Sequence, residues 1–376
     1  MFSRRIPWEL EPNEYSQLLE RKRSSGARLL DLTESNPTRA GFLYPPEIAE
    51  ALADPRSLLY EPSPLGTMPA REAVAREMHV PVDRVVITAS TSESYSYLFK
   101  LLCDPGDNVL TPQPSYPLFE FLATLESVQL VPYWLRYGRR WEIDFDWLES
   151  AITERTRAIL LVNPNNPTGS FVSREEVSRL AAICRKHQLA LVSDEVFTCY
   201  PLGMHVPVNW SEVEADSLVF RLDGLSKRAG LPQMKAGWMV IGGPAHARAR
   251  AMERIELIAD TFLSVSTPVQ NALPKLLELG AGIRRQIQDR TAANLRTLKE
   301  NAKPLPVEGG WSAILPLPPH MDEAEFVIRL LEQDNVQLQP GFFYDFETDG
   351  HAVLSLLPPE TVFQEGVQHI VQAYSR

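Results

Sequence analysis

The chain has 376 residues, 44% of them hydrophobic and 23% charged, with a formal net charge of -11. This is the composition of a soluble globular protein long enough for two domains. The acidic balance argues against a nucleic-acid partner, and no run of about 18 apolar residues is present to span a membrane.

The opening segment, Met1-Phe2-Ser3-Arg4-Arg5, is basic, but no apolar stretch follows it, so it does not read as a secretory signal. Residues 12–24 carry a charged amphipathic pattern that predicts a helix. Leu29-Leu30-Asp31-Leu32 predicts a short strand, and Thr33-Glu34-Ser35-Asn36-Pro37-Thr38 a loop. Pro45 and Pro46 open a helix that runs through Ala53.

From residue 84 the elements alternate. Strands are predicted at 84–88, 108–110, 128–131, 157–162, 189–193, 218–220 and 237–242, with helices ending near Cys103 and covering 118–125. Ser173-Arg174-Glu175-Glu176 is a capping box opening another helix, whose Val177, Leu180, Ala181, Ile183 and Cys184 share one face. The rhythm predicts an α/β fold with a mostly parallel sheet and helices on both faces. Ligands bind such sheets beyond the carboxyl ends of the strands. Long helices at 283–300, 322–333 and 360–374, with short strands near 311–315 and 352–356, then predict a smaller α+β domain. The expected division is 46–274 for the large domain and 1–45 plus 275–376 for the small one. Cys103, Cys184 and Cys199 are odd in number and lack metal-ligand spacing, which suits a reduced, cytoplasmic compartment.

The chemistry concentrates at strand ends. Ser90, Thr91 and Ser92 occupy a strand-to-helix turn, where backbone amides at a helix N-terminus can hold a phosphate; simple helix capping is the alternative. Asn163-Pro164-Asn165-Asn166-Pro167-Thr168-Gly169 is a rigid loop able to present an Asn amide at a set point. Asp194 ends a buried strand and needs a cationic partner there, from a cofactor ring nitrogen or from a structural ion pair. Lys227 sits in Asp223-Gly224-Leu225-Ser226-Lys227-Arg228, a loop between two strands, where a desolvated lysine would be a nucleophile. A phosphate cradle, an imine-forming lysine and an acid for a pyridinium nitrogen are the parts a pyridoxal-phosphate enzyme needs from its protein.

These stretches resemble the class I/II (fold type I) pyridoxal-phosphate aminotransferases. The matching segments are Tyr60 to Ala73 (Y-x5-G-x4-REA), Asp104-Pro105-Gly106-Asp107, Pro114-Ser115-Tyr116, the NPNNPTG string ending at Gly169, SDEVF ending at Phe197, and LSKRAGLPQMKAGW ending at Trp238. The resemblance implies pyridoxal 5'-phosphate as cofactor and transfer of an amino group from an amino acid to a keto acid in ping-pong half-reactions. Lys227 would be the Schiff-base lysine and proton shuttle, and Asp194 the partner of the ring nitrogen. Asn166 would bond the ring hydroxyl oxygen and Tyr116 would stack on the ring. Ser90, Thr91, Ser92 and Lys235 would hold the phosphate. Tyr60 would reach the phosphate of a neighbouring subunit, implying a homodimer with shared active sites.

The chain departs from the family pattern at several positions. Phe197 stands where Tyr is usual, which predicts that the lysine–cofactor linkage keeps its proton to higher pH. Lys235 replaces Arg, and Gly224 replaces Ser. Val353 falls where an Arg usually takes the substrate carboxylate, so Arg39, with Asn36, or Arg228 is expected to take that role. Without that Arg, a pyridoxal-phosphate lyase, cyclase or decarboxylase acting on an atypical substrate is the alternative reading. A cofactor-binding regulator is disfavoured, because residues 1–30 are too short for a DNA-binding module.

Overall fold

The computed structural model describes residues 2–8, 11–204, 207–263 and 265–375. Its strands in chain order are β1 (Leu30–Asp31), β2 (Val85–Thr88), β3 (Asn108–Gln113), β4 (Gln129–Tyr137), β5 (Trp141–Ile143), β6 (Thr156–Val162), β7 (Ala190–Asp194), β8 (Val219–Gly224), β9 (Gly237–Gly242), β10 (Ser312–Pro316), β11 (Val336–Gln337), β12 (Gln339–Pro340) and β13 (His351–Ser355). Strands β2 to β9 form one sheet in the order β2-β9-β8-β7-β6-β3-β4-β5. Its centre is parallel, through β4, β3, β6, β7 and β8. Strands β9 and β5 run antiparallel to their neighbours.

The central strands are near-continuous runs of Val, Ile, Leu and Ala because helices cover both faces, leaving no solvated side for polar residues. Every residue of β7 and of β9 is buried. One apolar cluster packs Leu110, Ile159, Leu161 and Leu191 under the helix Arg174–His187. Another packs Val109, Leu160, Val192 and Phe220 under the helices Thr91–Leu102 and Ala245–Phe262. The capping box at Ser173 and Glu176 forms as the sequence predicts.

A second, three-stranded sheet has the order β10-β13-β12, and β1 pairs in parallel with β11. The N-terminal strand therefore joins the C-terminal elements. Among the described residues no helix is long and apolar enough to cross a membrane.

Sequence and structure differ most along the helix Thr267–Asn301, which is continuous over 35 residues and contains Pro274. The pattern alone predicts a helix only from 283. Interior proline normally breaks a helix. Here Ala272, Leu273, Leu276, Ile283 and Ile287 form one uninterrupted buried stripe, and that packing carries the helix through the proline. The 18-residue helix Ala245–Phe262 and the short strand β5 are also absent from the sequence reading.

Candidate active site

The carboxyl ends of β7 and β8, the N-terminus of the helix Thr91–Leu102 and the loop after β6 converge on a cleft of about 460 Å³. Lining it are Ser90, Thr91, Ser92, Tyr95, Tyr116, Asn166, Asp194, Phe197, Gly224, Lys227 and Lys235, joined by Thr33, Ser35, Trp311, Ser312, Gln339, Tyr344, Val353 and Ser355 from the second sheet and the N-terminal loop.

Ser90 is the N-cap of the helix, its hydroxyl accepting the Glu93 amide at 3.2 Å, and Glu93 Oε2 accepts the Ala89 amide in return. Capping and anion binding are therefore compatible, since Thr91 and Ser92 also open into the cleft. Gly237 lets β9 pass close to this turn: a Cβ there would lie 2.9 Å from the Ser90 carbonyl carbon and 3.1 Å from the Thr91 nitrogen. At Gly224 a Cβ would lie 3.0 Å from the Ala236 oxygen, so the glycine suits the close pairing of β8 with β9. Lys235 follows in a left-handed turn, with φ of 52°.

Asp194 is buried at the end of β7. Tyr95 donates its hydroxyl to Asp194 Oδ2 at 2.9 Å, and the Val196 amide donates to Oδ1 at 3.3 Å. No cation among the described residues pairs with it. Burial pushes the carboxyl up to about 7, and the Tyr95 and Val196 hydrogen bonds only partly oppose this. Burial pulls the Lys227 amine down to about 8, against the attraction of Asp194. The Lys227 Nζ lies 4.9 Å from the Trp311 ring centre and 5.8 Å from that of Phe197. The two rings pack edge to face, 5.3 Å apart.

The loop after β6 is pinned from several sides. The Asn163 amide donates to the Asp194 carbonyl at 2.8 Å, and Thr198 Oγ1 donates to the Asn163 carbonyl at 2.7 Å. Asn165 Oδ1 caps Thr168, and Gly169 packs where a Cβ would lie 2.6 Å from the Gly309 oxygen. This presents Asn166 to the cleft with its Oδ1 accepting from Ser312 Oγ at 3.1 Å. The Asn166 amide N–H groups are left for a ligand oxygen.

The lysine segment is braced from behind. Gly280 of the long helix lies against Ala229, where a Cβ would be 2.4 Å from the Ala229 Cβ. Tyr200 donates its hydroxyl to the Lys227 carbonyl at 2.5 Å.

These residues fit pyridoxal phosphate. The buried acid lacking a cation suits a ring N–H⁺, the desolvated amine suits imine formation, and the glycine-walled helix N-terminus with a free lysine suits a phosphate.

Some expected residues lie elsewhere. Asn36 and Arg39 do not line the cleft: Asn36 Oδ1 accepts from Thr38, and Arg39 is exposed. Their loop contributes Thr33 and Ser35 instead. Arg228 is turned away and held by Asp223 at 2.6 Å and Glu77 at 3.1 Å. Tyr60 is 72% exposed and outside this chain's cleft. Sequence reasoning missed Tyr95, Trp311, Ser312 and Gln339. A helical turn separates Tyr95 from Thr91, which places both on the face toward the sheet ends. The others carry no local signal.

The family model for class I and II aminotransferases matches residues 27–363. An alanine aminotransferase of Mycobacterium tuberculosis is 30% identical over 368 residues, covering 90% of this chain and 83% of that protein. The glutamate-pyruvate aminotransferase AlaA of Escherichia coli is 32% identical over 268 residues, covering 69% of this chain and 65% of that protein. A solved alanine aminotransferase from Pyrococcus furiosus superposes with a TM-score of 0.88 over 100% of both chains at 22% identity, a likeness of fold.

Proposed function

The chain belongs to the class I and II aminotransferases, and from that premise we propose that it works through pyridoxal 5'-phosphate held in the cleft by Lys227. One observation supports this most: Lys227 and Asp194 share an enclosed cleft with an open helix N-terminus, and each has a pKa displaced toward 7. When bound, the cofactor supplies an electrophilic carbonyl and an electron-withdrawing ring.

The chain's own residues do the remainder. Lys227, desolvated and partly neutral near pH 8, would hold the cofactor as a free amine able to form an imine, and its Nζ would move a proton from and back to the substrate. Phe197 and Trp311 flank its ammonium form with ring faces, which hold a charge without accepting its proton. Asp194 is oriented by Tyr95 and keeps a ring nitrogen protonated. Asn166, with its oxygen engaged by Ser312, donates to a ring oxygen. Ser90, Thr91, Ser92 and Lys235 bind the phosphate, Lys235 as a point charge. Tyr116, which lines the cleft and is 47% exposed, would offer an aromatic face to the ring.

The names of the relatives support an amino acid and a keto acid as substrates. The exposed apolar run Leu58, Leu59 and Tyr60, at 89%, 63% and 72%, supports a homodimer in which Tyr60 reaches the neighbouring site. The free cysteines suit a cytoplasmic setting. The division into 46–274 and 1–45 plus 275–376 belongs to the same reading.

The test is to load the chain with pyridoxal phosphate and add amino acids one at a time without a keto acid. The lysine-linked absorbance band is expected to give way to that of the amine form of the cofactor as a keto acid appears, and Lys227→Ala is expected to abolish this. Product release without the amine form would replace transamination by the lyase reading, and unchanged turnover in Lys227→Ala would overturn the role of Lys227.

A further inference from the structure

Within one chain, the described residues that wall the substrate end of the cleft offer no positive charge. Among the described residues lining it, the cations are Lys227 and Lys235, and both lie at the end assigned above to the cofactor. At the other end Val353, 1% exposed, sits in mid-strand with Ile314 on one side and Gln339 on the other. Trp311, Leu354 and Tyr344 extend that apolar wall.

Most of the polar side chains there are already satisfied by the protein. Ser355 donates to the Glu34 carbonyl at 2.7 Å and accepts the Leu357 amide at 3.1 Å. Thr33 donates to Asp31 at 2.7 Å and accepts from Gln337 at 2.9 Å. Ser312 is engaged with Asn166, and Gln339 Oε1 accepts from the Tyr344 hydroxyl. The free capacity is the Ser35 hydroxyl, the Gln339 amide N–H groups and the indole N–H of Trp311, which is buried without an acceptor among the described residues. These groups are all neutral. A buried carboxylate needs a cation or several convergent donors. A hydroxyl or amide is content with one or two neutral partners.

We propose that the cleft is built for an amine whose reacting carbon carries a neutral hydrogen-bonding substituent, a hydroxymethyl or carboxamide group, in place of a carboxylate. The other half-reaction then carries the amino acid or keto acid less efficiently. This rests on the aminotransferase reading only for the fate of the amine; recognition by the wall is separable from it.

The experiment uses the full chain loaded with pyridoxal phosphate and two matched pairs of probes. The first pair, 2-aminoisobutyrate and 2-amino-2-methyl-1-propanol, lacks a hydrogen on the reacting carbon, so each can displace Lys227 without losing a proton; the acid can still lose CO2, and CO2 release is followed alongside. Their affinities are read from the cofactor absorbance. The alcohol is expected to bind at least about tenfold more tightly than the acid. Val353→Arg is expected to reverse that ratio, because a guanidinium on β13 can grip a carboxylate with two bonds. Ser35→Arg, at an exposed lining position, is expected to shift it the same way if the buried substitution does not fold.

Equal affinity, absence of binding by both probes, or preference for the acid overturns the proposal. So does an unchanged ratio in whichever arginine variant folds. The second pair, L-alanine and L-alaninol, can react. Failure of both to convert the cofactor to its amine form, with the first pair behaving as expected, would sink the transamination reading and leave the substrate class standing.

Discussion

Asp194 is an acid that the fold buries without a cation, and this predicts a measurable weakness in the cofactor-free protein. The folded chain holds its carboxyl at about 7, against an ordinary value of 3.8, because burial disfavours the charge. Below pH 3.8 both folded and unfolded forms keep the proton, so the group contributes nothing. Between 3.8 and 7 the unfolded form has lost its proton while the folded form retains it, and stability falls as pH rises. Above about 7 the penalty is full. A displacement of about three pKa units corresponds to roughly 4 kcal/mol, with about 2–3 kcal/mol of it appearing between pH 5 and 8. Asp194→Asn keeps an acceptor for Tyr95 and removes the charge. The cofactor-free variant is therefore expected to melt a few degrees above the parent at pH 8 and to lose most of that advantage by pH 5. Lys227 acts in the opposite sense at higher pH. Its amine is lowered from 10.5 to about 8, so stability recovers as pH rises between those values, leaving the parent weakest between about 7 and 8. The assay is thermal melting of both proteins at equal concentration across pH 5 to 8, with and without pyridoxal phosphate. The cofactor should stabilise the parent far more than the variant. A constant offset between the two melting curves at every pH would refute the reasoning, since it would mean that Asp194 is already ionised at pH 5.

Two other perturbations address the geometry around Lys227. Phe197→Tyr places a phenol on the ring that lies 5.8 Å from Nζ. The pH midpoint of the lysine-linked absorbance should then move down, because a hydroxyl can stabilise the deprotonated linkage; an unmoved midpoint would show that position 197 does not reach the cofactor oxygen. Gly280→Ala introduces a Cβ 2.4 Å from that of Ala229, so the segment carrying Lys227 must shift. The expected cost is about 1–3 kcal/mol in stability. A loss of turnover exceeding the loss of cofactor binding should accompany it, and a variant with parental melting and turnover would show that the long helix does not position the lysine.

Much of this site is legible in the sequence because its chemistry sits on short contiguous strings. The turn at Ser90, the loop ending at Gly169, Asp194 and Lys227 each follow a strand whose apolar run is visible, and parallel strands place their carboxyl ends together. Local signals also identify the capping box at Ser173, and the family resemblance marks the absence of an arginine at Val353. Long-range packing decided the rest. The helix through Pro274 exists because a buried stripe on both sides of the proline outweighs one missing hydrogen bond, an energy that no local window contains. Arg228 reads as an available guanidinium, and only the fold brings Asp223 and Glu77 to it. Arg39 and Asn36 belong to a loop that enters the cleft through Thr33 and Ser35, a matter of which way a turn faces. Tyr95, the adjacent pair Trp311 and Ser312, and Gln339 come from three separate stretches of the chain, and their convergence on Lys227, Asp194 and Asn166 is a property of the assembled layers. The sequence by itself determined which chemical groups are available and on which strand ends they stand. The tertiary structure alone decided which of them are desolvated, which are already spent on one another, and which remain free for a ligand, because desolvation and hydrogen-bond satisfaction depend on neighbours distant in the chain.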